Sequence, residues 1–179
     1  MEVRARLLAV AGRLFSSRGF SGVRLDQIAD EAKVARGTLY SHFDSKEELL
    51  LAIVQPVLER AVECLQRIPE TASPREAVDG LLRSYFDLWR ISPDALALAH
   101  RFEQPLPPDV MALHEVFVRL VVGVMQRAAG SGLLRLADPL LSARVLATTA
   151  VPLLQGVSGL PDPQAAFLDS MAGLLLRSC

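Results

Sequence analysis

The sequence predicts an all-α fold of about nine helices, and three observations carry that expectation. Apolar residues recur three and four apart in most segments. Capping residues or prolines precede the segments, and glycine or proline closes several of them. No stretch alternates apolar and polar residues with the period of two that marks a half-buried strand. Half of the 179 residues (51%) are apolar, enough for a sizeable core and too many for long disorder.

The first helix is expected over about 2–18, with Leu7, Leu8, Ala11, Leu14 and Phe15 on one face and Gly19 as its C-terminal cap. The second runs about 25–32, with Leu25, Ile28, Ala29 and Ala32 inward. The turn is Lys33-Val34-Ala35, and a third helix follows over about 36–43. There Leu39 and Phe43 face the core, and at 100° per residue Gly37 and Ser41 point away, with Thr38 and Tyr40 on the flanks. Asp44 and Glu47 have capping-box spacing at the start of the fourth helix, which reaches about Ile68 and should kink at Pro56. Ser73, Pro74 and Glu76 supply an N-cap, a first-turn proline and an N3 carboxylate for the fifth helix, about 75–91. Ser92-Pro93 opens the sixth, to about 103. Pro105, Pro107 and Pro108 separate it from the seventh, about 109–129. Asp138-Pro139 and Asp162-Pro163 open the eighth, to about 157, and the ninth, to about 178. The most apolar window, 145–160, is short and contains Pro152, Gln155 and two glycines, so no membrane span is expected.

Charge is balanced, at a formal net −1. A polybasic arm is excluded, and any nucleic-acid contact must use local charge. Residues 1–48 hold eight Lys/Arg against seven Asp/Glu, and the remainder eleven against thirteen. The only two lysines, Lys33 and Lys46, flank the third helix. Cys64 and Cys179 are far apart and lack metal-ligand spacing, so they read as free thiols in a reducing cytoplasm, and no apolar leader opens the chain. No HExxH, paired-carboxylate or Ser/His/Asp spacing supports an enzyme, a metal site or a cofactor.

Two short helices with a three-residue turn, steadied by a preceding helix, form a helix-turn-helix. The second of the pair fits the DNA major groove, which admits one α-helix. Gly37 and Ser41 allow close approach. Thr38 and Tyr40 can meet bases or phosphates, Arg36 guanine or phosphate, and His42 the backbone. Lys46 opposes the helix dipole in the first turn of its helix, so helix stability gives no reason for it. Together with the free amides there, it makes a phosphate clamp.

The run AGRLFSSRGFSGVRLDQIADEAKVARGTLYSHFDSKEELL, within residues 4–54, resembles the DNA-binding domain of the TetR family of bacterial transcriptional regulators. The matching positions are Phe15, Gly19-Phe20, Ile28-Ala29, Ala32, Val34, Gly37 to Tyr40, His42-Phe43, Lys46 and Leu49. The remainder is similar to the family's regulatory domain only in helix number and length, apart from the GSGLLR passage before the eighth helix. Lys33 stands where the family usually has a glycine at positive φ, which should cost roughly 1 kcal/mol. Ala35 and Arg24 stand where it commonly has Ser or Thr caps, each worth roughly 0.5–2 kcal/mol. Lys33 and Arg24 are counted with the DNA-facing residues.

The resemblance implies a ligand cavity among the middle helices. Candidates to line it are Tyr85, Phe86, Trp89, Phe102, His114 and Phe117; core packing explains the same aromatic stripe, and His114 reads equally as a core histidine with one hydrogen bond. Ionic residues are scarce on these faces, so a small, largely apolar effector is expected. The last two helices carry more apolar surface than one face needs. Either they are a buried pair, or Ala143, Ala147, Ala150, Leu154, Phe167, Met171, Leu174 and Leu175 form a four-helix dimer interface, which the resemblance also implies. The expected organisation is a DNA-binding domain over 1–46 and a regulatory and dimerisation domain over 47–179. The expected function is a cytoplasmic, homodimeric repressor that binds a palindromic DNA operator and is released by its effector. The alternative is a helical ligand-binding or interaction protein whose helix-turn-helix no longer reads DNA.

Overall fold

The computed structural model describes residues 2–100 and 107–177. Within them lie nine helices: α1 Val3–Arg18, α2 Leu25–Glu31, α3 Arg36–Tyr40, α4 Lys46–Gln66, α5 Pro74–Ile91, α6 Pro93–Ala99, α7 Pro108–Gly130, α8 Pro139–Val157 and α9 Pro163–Leu175. The fold is all-α, as expected. The exception among the described residues is an isolated antiparallel bridge between Leu134 and Leu176. It stops α9 short of the expected residue 178. Leu176 is extended, Arg135 N–H donates to Leu175 O (2.8 Å), and Arg177 N–H donates to Leu133 O (2.9 Å).

The helices group into two compact units. The first comprises Met1–Val57 with Ser92–Pro107, and the second Leu58–Ile91 with Pro108–Cys179. The first therefore runs beyond residue 46 and takes in α6, because α6 folds against α1. Its core is Leu7, Ala11, Leu14, Phe15, Phe20, Ile28, Ala29, Leu39, Phe43 and Leu49, all essentially inaccessible. Phe15 and Phe20 meet ring to ring at 5.3 Å, and the Arg4 guanidinium lies over the Phe43 ring. In the second unit α8 packs on both α7 and α9, and α5 packs on α7 and α9. Phe86 stacks on Phe167 at 6.3 Å. The unit boundary falls inside α4, beside the exposed Pro56, through which the helix continues.

Local chemistry explains the ends. Gly19, at φ 76°, closes α1 by donating to Phe15 O. The Asp138 carboxylate accepts from Leu140 and Leu141 N–H, and Asp162 accepts from Ala165 N–H. Ser73 and Glu76 make the expected box: Glu76 N–H donates to Ser73 Oγ, Ser73 N–H donates to Glu76 Oε2, and the hydroxyl bond holds the Glu76 carboxyl below the usual range. At α4 the box is shifted by one residue from expectation. Ser45, not Asp44, caps Glu48 N–H, while Glu48 accepts from Asp44 N–H.

Two expectations need correction. By length and composition α8 is apolar enough to cross a membrane (19 residues, mean hydropathy 1.4), so the argument from a short window fails. What places it in a helical bundle is its packing between α7 and α9. The second concerns the interface residues. Ala150, Leu154, Phe167, Met171 and Leu175 are buried within the protomer, because the broad apolar stripe of α9 faces α8 and α5. Only Ala147 and Leu174 of the eight are exposed, with Ala143 half-buried.

Phe167→Ala should therefore destabilise the protomer itself by about 3–5 kcal/mol, and Leu174→Ala by less than about 0.5 kcal/mol. Urea denaturation at several protein concentrations, extrapolated to the isolated chain, checks both; equal losses would contradict the burial.

Candidate nucleic-acid interface and internal cavity

α3 is only five residues long, too short to form alone. Leu39 and Phe43, both 1% exposed, fix its inner side. Gly37, Tyr40, Ser41 and His42 are exposed, and Thr38 is half-buried. A Cβ built on Gly37 meets nothing within 4 Å, so packing inside the protein does not require glycine there. Ser41 Oγ donates to Thr38 O, tying off the last turn.

The turn is strained as the family resemblance implies. Lys33 has φ 54°, the one positive-φ residue other than glycine among those described. Its side chain is exposed. Ala35 is the N-cap of α3 and offers no side-chain bond. Arg24 caps α2 differently: its N–H donates to Gln27 Oε1 at 2.9 Å. Only that half of a capping box can form, because a guanidinium has no acceptor for the Gln27 amide.

The cations are less free than composition implies. Arg36 pairs with Asp26 of α2 at 3.2 Å, and Arg13 of α1 pairs with Glu31 at 2.6 Å. Lys46 differs most from expectation. Its half-buried ammonium donates to Phe20 O (2.9 Å) and Val23 O (3.0 Å) and sits 4.2 Å from the Phe20 ring centre. Stability thus gives the reason that the helix-dipole argument lacked. Lys46 staples the α1–α2 connector to the start of α4, satisfying two carbonyls with a cation. Its distance in sequence from Phe20 and Val23 hid this.

In the second unit α5, α7 and α8 frame a pocket of about 780 Å³ that is open to solvent on one side, where Leu140, Leu141, Arg144 and Ala147 are exposed. Of the residues expected to line it, Tyr85, His114 and Phe117 do, with Tyr85 and Phe117 ring to ring at 6.3 Å. Phe86 does not, being turned onto Phe167, and Trp89 is not in the lining. Phe102 lies outside the described residues. Reading α5 to α7 alone missed the α8 wall, to which Leu140, Leu141, Arg144 and Ala147 belong. Burial raises the Tyr85 hydroxyl pKa and keeps it protonated; desolvation lowers that of His114 against the opposing charge of Glu115. His100 lies elsewhere, at the end of α6, its Nδ1 2.9 Å from Leu96 O. Among the described residues no group of three or more His, Cys, Asp or Glu is placed to hold a metal ion.

The family of bacterial regulatory proteins known as the tetR family matches residues 7–53, the segment holding α1 to α3 and the start of α4. The chain belongs to the tetR family. It is 31% identical over 112 residues to the transcriptional activator FasR of Mycolicibacterium smegmatis, covering 62% of this chain and 51% of FasR. It is 33% identical over 102 residues to the transcriptional repressor KstR2 of the same organism, covering 56% and 45%. The matched region thus spans about half the length of these relatives. Across its length the fold matches AibR bound to isovaleryl coenzyme A and operator DNA (TM-score 0.74, 23% identity, 98% of each chain).

Lys46→Met should lower the stability of the first unit by about 2 kcal/mol, the loss of a charge-assisted staple. Urea denaturation followed by circular dichroism checks it; a change within about 0.5 kcal/mol would mark Lys46 as an ordinary surface lysine.

Proposed function

We propose that this protein is a cytoplasmic, homodimeric transcriptional repressor that binds a palindromic DNA operator through α3 and is released by a small, largely apolar effector. The observation that carries the reading is the exposed face of α3, built of small and hydrogen-bonding side chains on a helix-turn-helix whose inner face is locked by Leu39 and Phe43. On this reading residues 1–46 are the reader and 47–179 the regulatory and dimerisation part.

Gly37 and Ser41 let the helix backbone approach the base edges. Thr38 and Tyr40 make hydrogen-bond and ring contacts, Arg36 and His42 reach base or phosphate, and Arg24 and Lys33 meet the flanking backbone. Lys46 holds the connector in place, and any phosphate at α4 shares its ammonium with two carbonyls. The cavity between α5, α7 and α8 is the effector site, with Tyr85, His114 and Phe117 among its walls. Support for both ligands in one fold comes from AibR, solved with an acyl coenzyme A and operator DNA together. The dimer uses the α8 and α9 surface left outside the protomer core and away from the pocket, around Leu153, Leu168, Ala172 and Leu174. Two reader helices so joined meet successive major grooves about 34 Å apart.

One observation favours a second reading, a helical ligand-binding protein that no longer reads DNA: Arg36 and Lys46 already have intramolecular partners. Salt dependence separates the two. A fragment upstream of the protein's own gene, titrated by fluorescence anisotropy, should lose about 10³-fold or more in affinity between 50 and 200 mM salt if six or more phosphates are contacted. Gly37→Ala should weaken that binding at least tenfold while raising thermal stability by up to about 1 kcal/mol, since the helix gains an alanine in open space. Undiminished binding by the variant would remove α3 from the interface. Sedimentation at micromolar concentration should give twice the chain's 19.5 kDa, and Leu174→Glu should halve it.

A further inference from the structure

The cavity between α5, α7 and α8 carries a statement about the chemistry of its ligand, resting on the reading above that it is the effector site. Most of its wall is apolar: Phe117, Val118, Val121, Leu140, Leu141 and Ala147. The polar lining residues are Tyr85, His114, Asp138 and Arg144, and they are not equivalent. Asp138 has its Oδ1 bound to two amides at the start of α8, 2.8 and 3.1 Å away, so its negative charge is spent locally on the helix terminus. Burial disfavours the charged forms of both Tyr85 and His114. Arg144 offers a planar guanidinium with N–H donors and no acceptor. None of the ion pairs found among the described residues involves it.

We propose that the cavity takes an amphipathic monoanion, an apolar chain or ring seated on the Phe117, Val121 and Leu140 wall with its carboxylate on the Arg144 guanidinium. Arg144 is exposed at the pocket's open side, and its guanidinium matches a carboxylate with two parallel N–H donors. A volume of about 780 Å³ lies within the usual range for small-molecule pockets and exceeds the needs of a compact inorganic anion. The apolar body supplies the affinity and Arg144 the choice of head group.

The test uses the full chain and three probes with one body and three heads: decanoate, decan-1-ol and decylamine, below their aggregation thresholds, with acetate as a headless control. Calorimetry should give one decanoate per protomer, bound at least tenfold more tightly than decanol, with decylamine weakest and acetate silent. Arg144→Gln should bring decanoate down to the level of decanol, and Arg144→Lys should recover part of the difference. Ala147→Trp, which fills the cavity from an exposed position, should abolish binding of all three. Equal affinity for decanoate and decanol overturns the proposal while leaving the cavity an effector site. Preference for decylamine overturns it in favour of Asp138 as the anchor. Binding that survives Ala147→Trp, or no binding by any probe, overturns the effector-site reading together with the proposal.

Discussion

A five-residue helix cannot specify its own position, and the first unit is organised around that constraint. α3 has no side-chain N-cap, enters through a turn residue at φ 54° and makes barely more than one turn. Its few backbone hydrogen bonds do not offset the entropy of forming it. The geometry of its outer face is therefore imposed from within, by Leu39 and Phe43 in the core and by α2 beneath it. The Phe20–Val23 connector that leads into α2 is in turn held by the Lys46 ammonium. A surface that has to keep a fixed shape is thus carried by a helix held from within by Leu39 and Phe43.

The second unit meets a different demand. It has to keep a core beside an open pocket of about 780 Å³ between α5, α7 and α8. The two regions are separated along α5 and α8. Phe86 turns away from the cavity to stack on Phe167, while Tyr85, its neighbour in sequence, faces Phe117. On α8, Leu146, Ala150 and Leu154 belong to the core, whereas Ala143, Arg144 and Ala147 line the cavity. The high apolar content of α8 follows: one helix serves a core on one side and a cavity on another, and still has apolar surface to cover.

This double use of α8 explains what was and was not legible in the sequence. The all-α class, the helix starts at Ser73, Asp138 and Asp162 and the inward Leu39 and Phe43 could be read, because capping and periodicity are local signals. The positive φ of Lys33 came from the resemblance, which puts a glycine at that position, and not from any local signal in this sequence. Which apolar face of α8 and α9 meets the core could not. Periodicity identifies a stripe but not what covers it, so Phe167 and Met171 were expected at an interface when they are core. The partners of Lys46 lie 23 and 26 residues away, out of reach of any local rule. The cavity was half legible: its aromatic wall follows helical spacing, but its α8 wall depends on how two helices pack.

The two cations nearest α3 look interchangeable in sequence, and their surroundings make them different. Arg36 and Asp26 form an exposed pair, with side chains 63% and 37% accessible. Such a pair contributes about 0–1 kcal/mol, so an approaching phosphate can replace the carboxylate at almost no cost. The Arg36 guanidinium is in effect available to a ligand while being held in position until one arrives. Lys46 is half-buried and has two carbonyls and an aromatic face as partners. Withdrawing it would leave two carbonyls short of a donor, at about 1–3 kcal/mol each if no water replaced it. On the proposed function Arg36 therefore acts on the DNA directly, and Lys46 acts through the shape it gives the connector.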